Sequence, residues 1–181
     1  MAKKWHLTPI QRRALPVLTL ILTPALIVGI GYAAGLRWAR TTSLPPGIYR
    51  LTSNPSDPLI SFCPVGPSSV ESSERGYRDK AWNCPDHHAP LLKPVVAKQG
   101  DTVTVSPAGI SVNGQLLRNS HAYPLDGQKR PMHVWPQGTY PVQPGTVWVL
   151  SSFNKGSYDS RYYGPIATKN IIHYGHPVWQ F

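Results

Sequence analysis

Three short segments carry the side chains with chemistry to offer: TTSLPPGIYRL (41–51), LLKPVVAKQGDTVTV (91–105) and GSYDSRYYGPI (156–166). A serine hydroxyl becomes a good nucleophile only when a base takes its proton, and a lysine is a base only when neutral. Ser43 and Lys93 are residues of those types. Lysine ionises near pH 10.4, so half-neutrality at about pH 8 needs a shift of about 2.4 units, roughly 3.3 kcal/mol. Burial disfavours the ammonium and supplies a shift of that size. Leu91, Leu92, Val95 and Val96 give Lys93 an apolar wall, and Pro94 presents no backbone donor. Lys98, the rival lysine, falls in the turn leading to Gly100-Asp101, where water keeps it protonated. Singly, each residue has a plainer reading. Ser43 is a turn serine, Lys93 snorkels to water, and Asp159 with Arg161 is a surface ion pair worth under about 1 kcal/mol.

The elements that must position these residues begin with an apolar run. Residues 14–36, ALPVLTLILTPALIVGIGYAAGL, hold no charge, and 23 helical residues span about 34 Å against a hydrocarbon core of about 30 Å. Pro16 and Pro24 are tolerable in such a helix because lipid offers its backbone no other partners. Lys3, Lys4, Arg12 and Arg13 precede the run, and Trp5 and Trp38 flank it. The expectation is a cytoplasmic basic terminus (1–13), one transmembrane anchor (14–36) and an exported domain (37–181), single-pass in a bacterial inner membrane with that domain in the periplasm. The alternative is a cleaved signal peptide, with Tyr32-Ala33-Ala34-Gly35 as the small-residue site.

The exported part reads as mainly β. Twenty prolines and fifteen glycines in 181 residues argue against a helical bundle. Short strand-like runs recur at 47–51, 94–98, 101–105, 109–114 and 146–150. Ser106-Pro107-Ala108-Gly109 and Asn113-Gly114 read as two successive turns. Residues 53–90, rich in Ser, Pro and charge, read as an irregular insertion. Cys63 and Cys84 both lie in it, and export makes a disulfide the default. A metal site with His87 and His88 is the weaker alternative, because the spacing matches no zinc pattern. Ile48, Trp135 and Trp148 read first as core, with groove lining or lipid contact second. The net charge of +10 is strongest at the amino terminus and otherwise spread out, which does not favour a nucleic-acid surface. No cofactor motif or metal requirement is visible.

Together and in order, the three segments resemble the serine/lysine type I signal peptidase family, over roughly residues 10–50 and 90–181. Ser43 stands in the nucleophile position of a Ser-x-Ser-Met-x-Pro box. Lys93, Val95, Val96, Ala97, Gly100 and Asp101 match a Lys-Arg-Val-Val-Ala-x-Pro-Gly-Asp box. Ser157, Asp159, Ser160, Arg161, Tyr162 and Gly164 match a Ser-x-Asp-Ser-Arg-Tyr-Trp-Gly box. Leu44, Pro94, Gln99 and Tyr163 depart from it. Ser43-Leu44-Pro45-Pro46-Gly47-Ile48-Tyr49 is similar to the conjugative-transfer (TraF-type) branch.

The resemblance implies a signal-peptidase-like β domain of coiled antiparallel sheets behind one N-terminal transmembrane helix. It assigns Ser43 as nucleophile and Lys93 as base, with the Ser43 amide and the Thr41 hydroxyl as oxyanion donors. Ser157 would orient the lysine, Asp159 and Arg161 would hold that segment beside the site, and the conjugative branch makes Asp159 a candidate catalytic residue as well. It further implies a propilin or another membrane-inserted precursor as substrate, cyclisation of the pilin in some members, and inner-membrane lipid and other conjugation or type IV secretion components as partners. Ser43 follows Leu36 by seven positions, which suits a membrane-tethered substrate. A general signal peptidase and a non-catalytic envelope scaffold are the competing readings.

Overall fold

The computed structural model describes residues 9–39 and 41–181, without the side chains of 9–15, 17 and 18. The basic terminus expected over 1–13 therefore falls outside the described residues, apart from the backbone of 9–13. The chain divides into two units, Met1–Arg37 and Trp38–Phe181.

The first unit holds helix α1 (Pro9–Ala33), which includes Pro16 and Pro24. Among the described residues, no helix is long and apolar enough to cross a membrane. The expected transmembrane helix over 14–36 is thus not found as such. Helix ends at Ala33, Gly35 takes a left-handed φ of 82°, and Leu36 already belongs to strand β1 (Leu36–Trp38). Leu20, Ile21, Leu22, Leu26, Ile27, Val28 and Ile30 along α1 are all exposed.

The remaining elements in chain order are β2 (Gly47–Thr52), β3 (Leu59–Phe62), α2 (Pro67–Glu74), β4 (Leu91–Ala97), β5 (Thr102–Ser106), β6 (Gly109–Val112), β7 (Gln115–Leu116), β8 (Gly138–Pro141), β9 (Thr146–Val149), α3 (Ser160–Tyr163), β10 (Ile166–Ala167) and β11 (Ile171–Gln180). They form a seven-stranded sheet in the order β1-β2-β11-β3-β4-β9-β10 and a four-stranded sheet in the order β7-β6-β5-β8. The fold is mainly β, as the composition implies.

Both turns read from the sequence are present. Pro107 and Ala108 join β5 to β6, and Asn113-Gly114, with φ of 49° and 83°, joins β6 to β7. Positive φ at both central residues is what a tight hairpin needs to match strand twist. Val103, Val105 and Ile110 of this hairpin pack with Ala97, Trp148 and Leu150, so Trp148 is core. A second cluster joins Ile60, Phe62, Leu91, Val149, Tyr158, Tyr162 and Ile166.

The insertion is more ordered than expected. Within 53–90 lie α2 and β3, and β3 sits in the interior of the large sheet between β11 and β4. All four residues of β3, Leu59-Ile60-Ser61-Phe62, are buried, so the strand shows no alternation by which to recognise it. Cys63, the next residue, is joined to Cys84 by a disulfide, so neither thiol is available to a metal. Arg78, buried in the same insertion, donates to Ser72 Oγ at 2.8 Å and pairs with Asp86. Hydrogen bonding from that guanidinium holds the Asp86 carboxyl well below its ordinary range.

Candidate active site

Each of the three chemistry-bearing segments is fixed by ordinary folding forces. The Ser43 loop precedes β2. Its next residue, Leu44, packs with Tyr49 and Leu59, and Tyr49 Oη donates to the Pro45 carbonyl at 2.7 Å. Lys93 lies in β4 opposite Ile60 of β3. On β4 the buried positions are Leu91, Lys93 and Ala97, so the period of two that buries Leu91 also turns Lys93 inward. Ser157 lies just before α3, whose N-cap Asp159 accepts from the Arg161 amide.

These folds deliver three groups to one point. Lys93 Nζ donates to Ser43 Oγ at 2.5 Å and to Ser157 Oγ at 2.7 Å. The two hydroxyls are themselves 3.0 Å apart. Ser43, Lys93 and Ser157 are 5%, 2% and 3% exposed, which leaves the amine almost no water. That burial brings the Lys93 pKa down to about 8; Asp159 opposes the shift and Arg161 reinforces it. The burial of the lysine amine read from the sequence is therefore present. Lys98 is exposed, and its backbone amide donates to the Asp101 carboxylate in the following turn.

Asp159 and Arg161 differ from the surface pair that their sequence alone suggests. Both are fully buried, joined by Arg161 Nε to Asp159 Oδ1 and Nη2 to Oδ2, each at 2.8 Å. Arg161 also donates to the carbonyls of Asn119, Lys155 and Ser157. An ion pair this dry is weak evidence for stability, because desolvation offsets its attraction. Its visible consequence is positional, since it ties the Ser157 backbone to the segments around it.

Thr41 lies beside Ser43. The Ser43 amide and the Thr41 hydroxyl, both expected to face a substrate oxygen, bond each other: Ser43 N–H donates to Thr41 Oγ1 at 3.1 Å.

Ser43, Lys93 and Ser157 line a cleft of about 780 Å³ together with Tyr77, Leu92 and Met132. Residues 76–79 of the disulfide-tethered insertion form part of this lining. Neither that wall nor Ser151, whose hydroxyl donates to the Ser43 carbonyl at 2.6 Å, is marked in the sequence. Ser151 sits in Leu-Ser-Ser-Phe-Asn-Lys-Gly, which reads as a plain turn. Among the described residues, no cluster of His, Cys, Asp or Glu could hold a metal ion.

The chain belongs to the signal peptidase family. The family model described as signal peptidase, peptidase S26, matches residues 49–179. Within the class, the chain is similar to conjugal transfer proteins. It is 34% identical to a plasmid transfer protein TraF of Escherichia coli, over 84% of this chain and 88% of that protein. It is 35% identical to a probable conjugal transfer protein TraF of Sinorhizobium fredii, over 92% and 91%. Signal peptidase I V of Bacillus subtilis is 30% identical over 49% of this chain and 56% of that protein. A crystal structure of a signal peptidase I from Enterococcus faecalis aligns with a TM-score of 0.37 at 16% identity, over 68% of this chain and 97% of that one.

Proposed function

We propose that the protein is a serine/lysine endopeptidase that processes an exported, membrane-inserted precursor, namely the propilin of a conjugative transfer system. One observation carries the reading: Lys93 Nζ lies 2.5 Å from Ser43 Oγ while almost wholly removed from water. Once neutral, Lys93 directs its lone pair at the Ser43 hydroxyl and keeps an N–H for Ser157. Ser43 Oγ attacks the scissile carbonyl as its proton passes to Lys93. The developing oxyanion takes the Ser43 N–H from Thr41 and the Thr41 hydroxyl hydrogen; one such donor accounts for about 3 kcal/mol. Lys93 then returns the proton to the leaving amine, giving an acyl-enzyme. A second nucleophile, water or the precursor's own amine, resolves that ester with Lys93 again as base; the amine would yield a cyclic product. Ser157 orients the lysine, and Asp159 with Arg161 holds Ser157.

The conjugative setting is supported by the TraF relatives, whose similarity covers most of this chain. Attachment to a bacterial inner membrane through the uncharged segment 14–36, with the peptidase domain in the periplasm, is supported by the apolar side chains exposed along α1. The Cys63–Cys84 bridge points to the same oxidising compartment. A general signal peptidase is the second reading, favoured by the Bacillus relative. A scaffold is disfavoured, because a buried amine with a lowered pKa costs stability that a binding module has no use for.

The test is co-expression of the protein, or its Ser43→Ala variant, with a candidate propilin and intact-mass measurement of that propilin. A mass drop with the wild type alone supports processing, and a further loss of one water indicates ring closure. Equal masses in both strains contradict it.

A further inference from the structure

Beyond the residues of the three segments, the dipeptide Leu150-Ser151 at the exit of β9 gathers all three. The Leu150 amide donates to the Pro94 carbonyl at 3.1 Å, next to Lys93. The Ser151 amide donates to Asp159 Oδ2 at 3.0 Å. The Ser151 hydroxyl donates to the Ser43 carbonyl at 2.6 Å and accepts the Asn154 amide at 3.0 Å. Leu150 is fully buried and Ser151 is 1% exposed, so no solvent competes for these bonds.

We propose that Ser151 is a positioning residue for the nucleophile: its hydroxyl anchors the Ser43 carbonyl and so fixes the peptide from which the Ser43 side chain reaches Lys93. This rests on Ser43 being the nucleophile. A hydroxyl oxygen swings several tenths of an ångström when its own peptide plane tilts, and near-attack geometry is sensitive to displacements of that order. The backbone half of the arrangement, Ser151 N–H to Asp159, does not involve the side chain. Removing the hydroxyl alone therefore leaves the charges around Lys93, those of Asp159 and Arg161, where they are.

The experiment uses the full chain in detergent micelles and p-nitrophenyl acetate, a small activated ester. Ser43 Oγ bonds to the acetyl carbon, the ester bond to p-nitrophenolate breaks, and the hydroxyl proton passes to Lys93. Acetylation is read as released p-nitrophenolate, corrected for folded protein by near-UV circular dichroism, with the adduct counted by intact mass. Ser151→Ala is expected to lower the plateau rate about tenfold, the factor of one hydrogen bond of about 1.4 kcal/mol. The midpoint of its pH–rate profile stays where the wild type has it, and Ser151→Thr, which keeps a hydroxyl, restores most of the rate. A wild-type rate in Ser151→Ala overturns the proposal. So does an equal loss in both variants, or a moved midpoint, since either places the effect in general packing. Ser43→Ala separates the two levels: if it acetylates at the wild-type rate, the nucleophile assignment itself fails.

Discussion

Arg161 Nη2 donates to the backbone carbonyl of Ser157 at 2.9 Å while the same nitrogen, 2.8 Å from Asp159 Oδ2, closes a fully buried ion pair. One guanidinium thus holds both the carboxylate that favours a charged Lys93 and the peptide that carries the hydroxyl bonded to it. Arg161→Met removes a positive charge that disfavours the lysine ammonium and leaves Asp159 without its counter-ion. Both changes raise the Lys93 pKa, so the midpoint of the pH–rate profile should move above about 8. Stability should fall by about 3–5 kcal/mol, the usual cost of breaking a buried pair. Urea unfolding and the profile check the two halves separately.

Lys93 itself links stability to pH. Its pKa is about 8 folded against 10.5 for the ordinary side chain, so between these values the unfolded chain binds more protons. Folding stability should therefore rise with pH through this window and be lowest, by about 3 kcal/mol, below pH 8. Lys93→Met lacks that dependence. It should be more stable than the wild type at pH 7, and the gap should close as pH approaches 10.5, as read from urea midpoints across the range.

Lys93→Arg keeps the positive charge but cannot deprotonate. It should abolish both precursor processing and ester acetylation while the protein remains folded. Normal turnover in this variant would remove Lys93 from the base role.

Bridging Cys63 to Cys84, 21 positions apart, should contribute about 3 kcal/mol. Ser43, Lys93 and Ser157 lie outside the bridged segment, whereas residues 76–79 within it line the cleft. Paired Cys63→Ser and Cys84→Ser changes should lower the unfolding free energy read from urea denaturation by that amount and slow cleavage of a protein precursor more than acetylation by a small ester.

What the sequence disclosed follows from how local each signal is. The β5–β6–β7 turns were legible because Asn113-Gly114 and Ser106-Pro107-Ala108-Gly109 specify backbone geometry on their own. The inward turn of Lys93 was legible from its apolar neighbours. Strand β11 was not: Gly175 and Pro177 interrupt it, and most of its residues are half-buried or exposed, so no alternation marks it. The structure explains both interruptions. A Cβ at residue 175 would come within 2.7 Å of the Arg50 carbonyl oxygen, and the register shifts between Pro177 and Trp179. Ser151 and the 76–79 wall were illegible for another reason, because their importance lies in partners more than fifty residues away or in a surface formed only after folding. Thr41 illustrates the converse: its proximity to Ser43 was foreseen, but their bonding to each other was not.

The central claim is that one buried amine gives up its charge near pH 8 beside the Ser43 hydroxyl. Titrating Lys93 by heteronuclear NMR of the folded protein in micelles, with Lys93→Met to assign the resonance, measures this directly. A midpoint near 8 is the predicted result; a midpoint near about 10.4, that of a lysine in water, would contradict it.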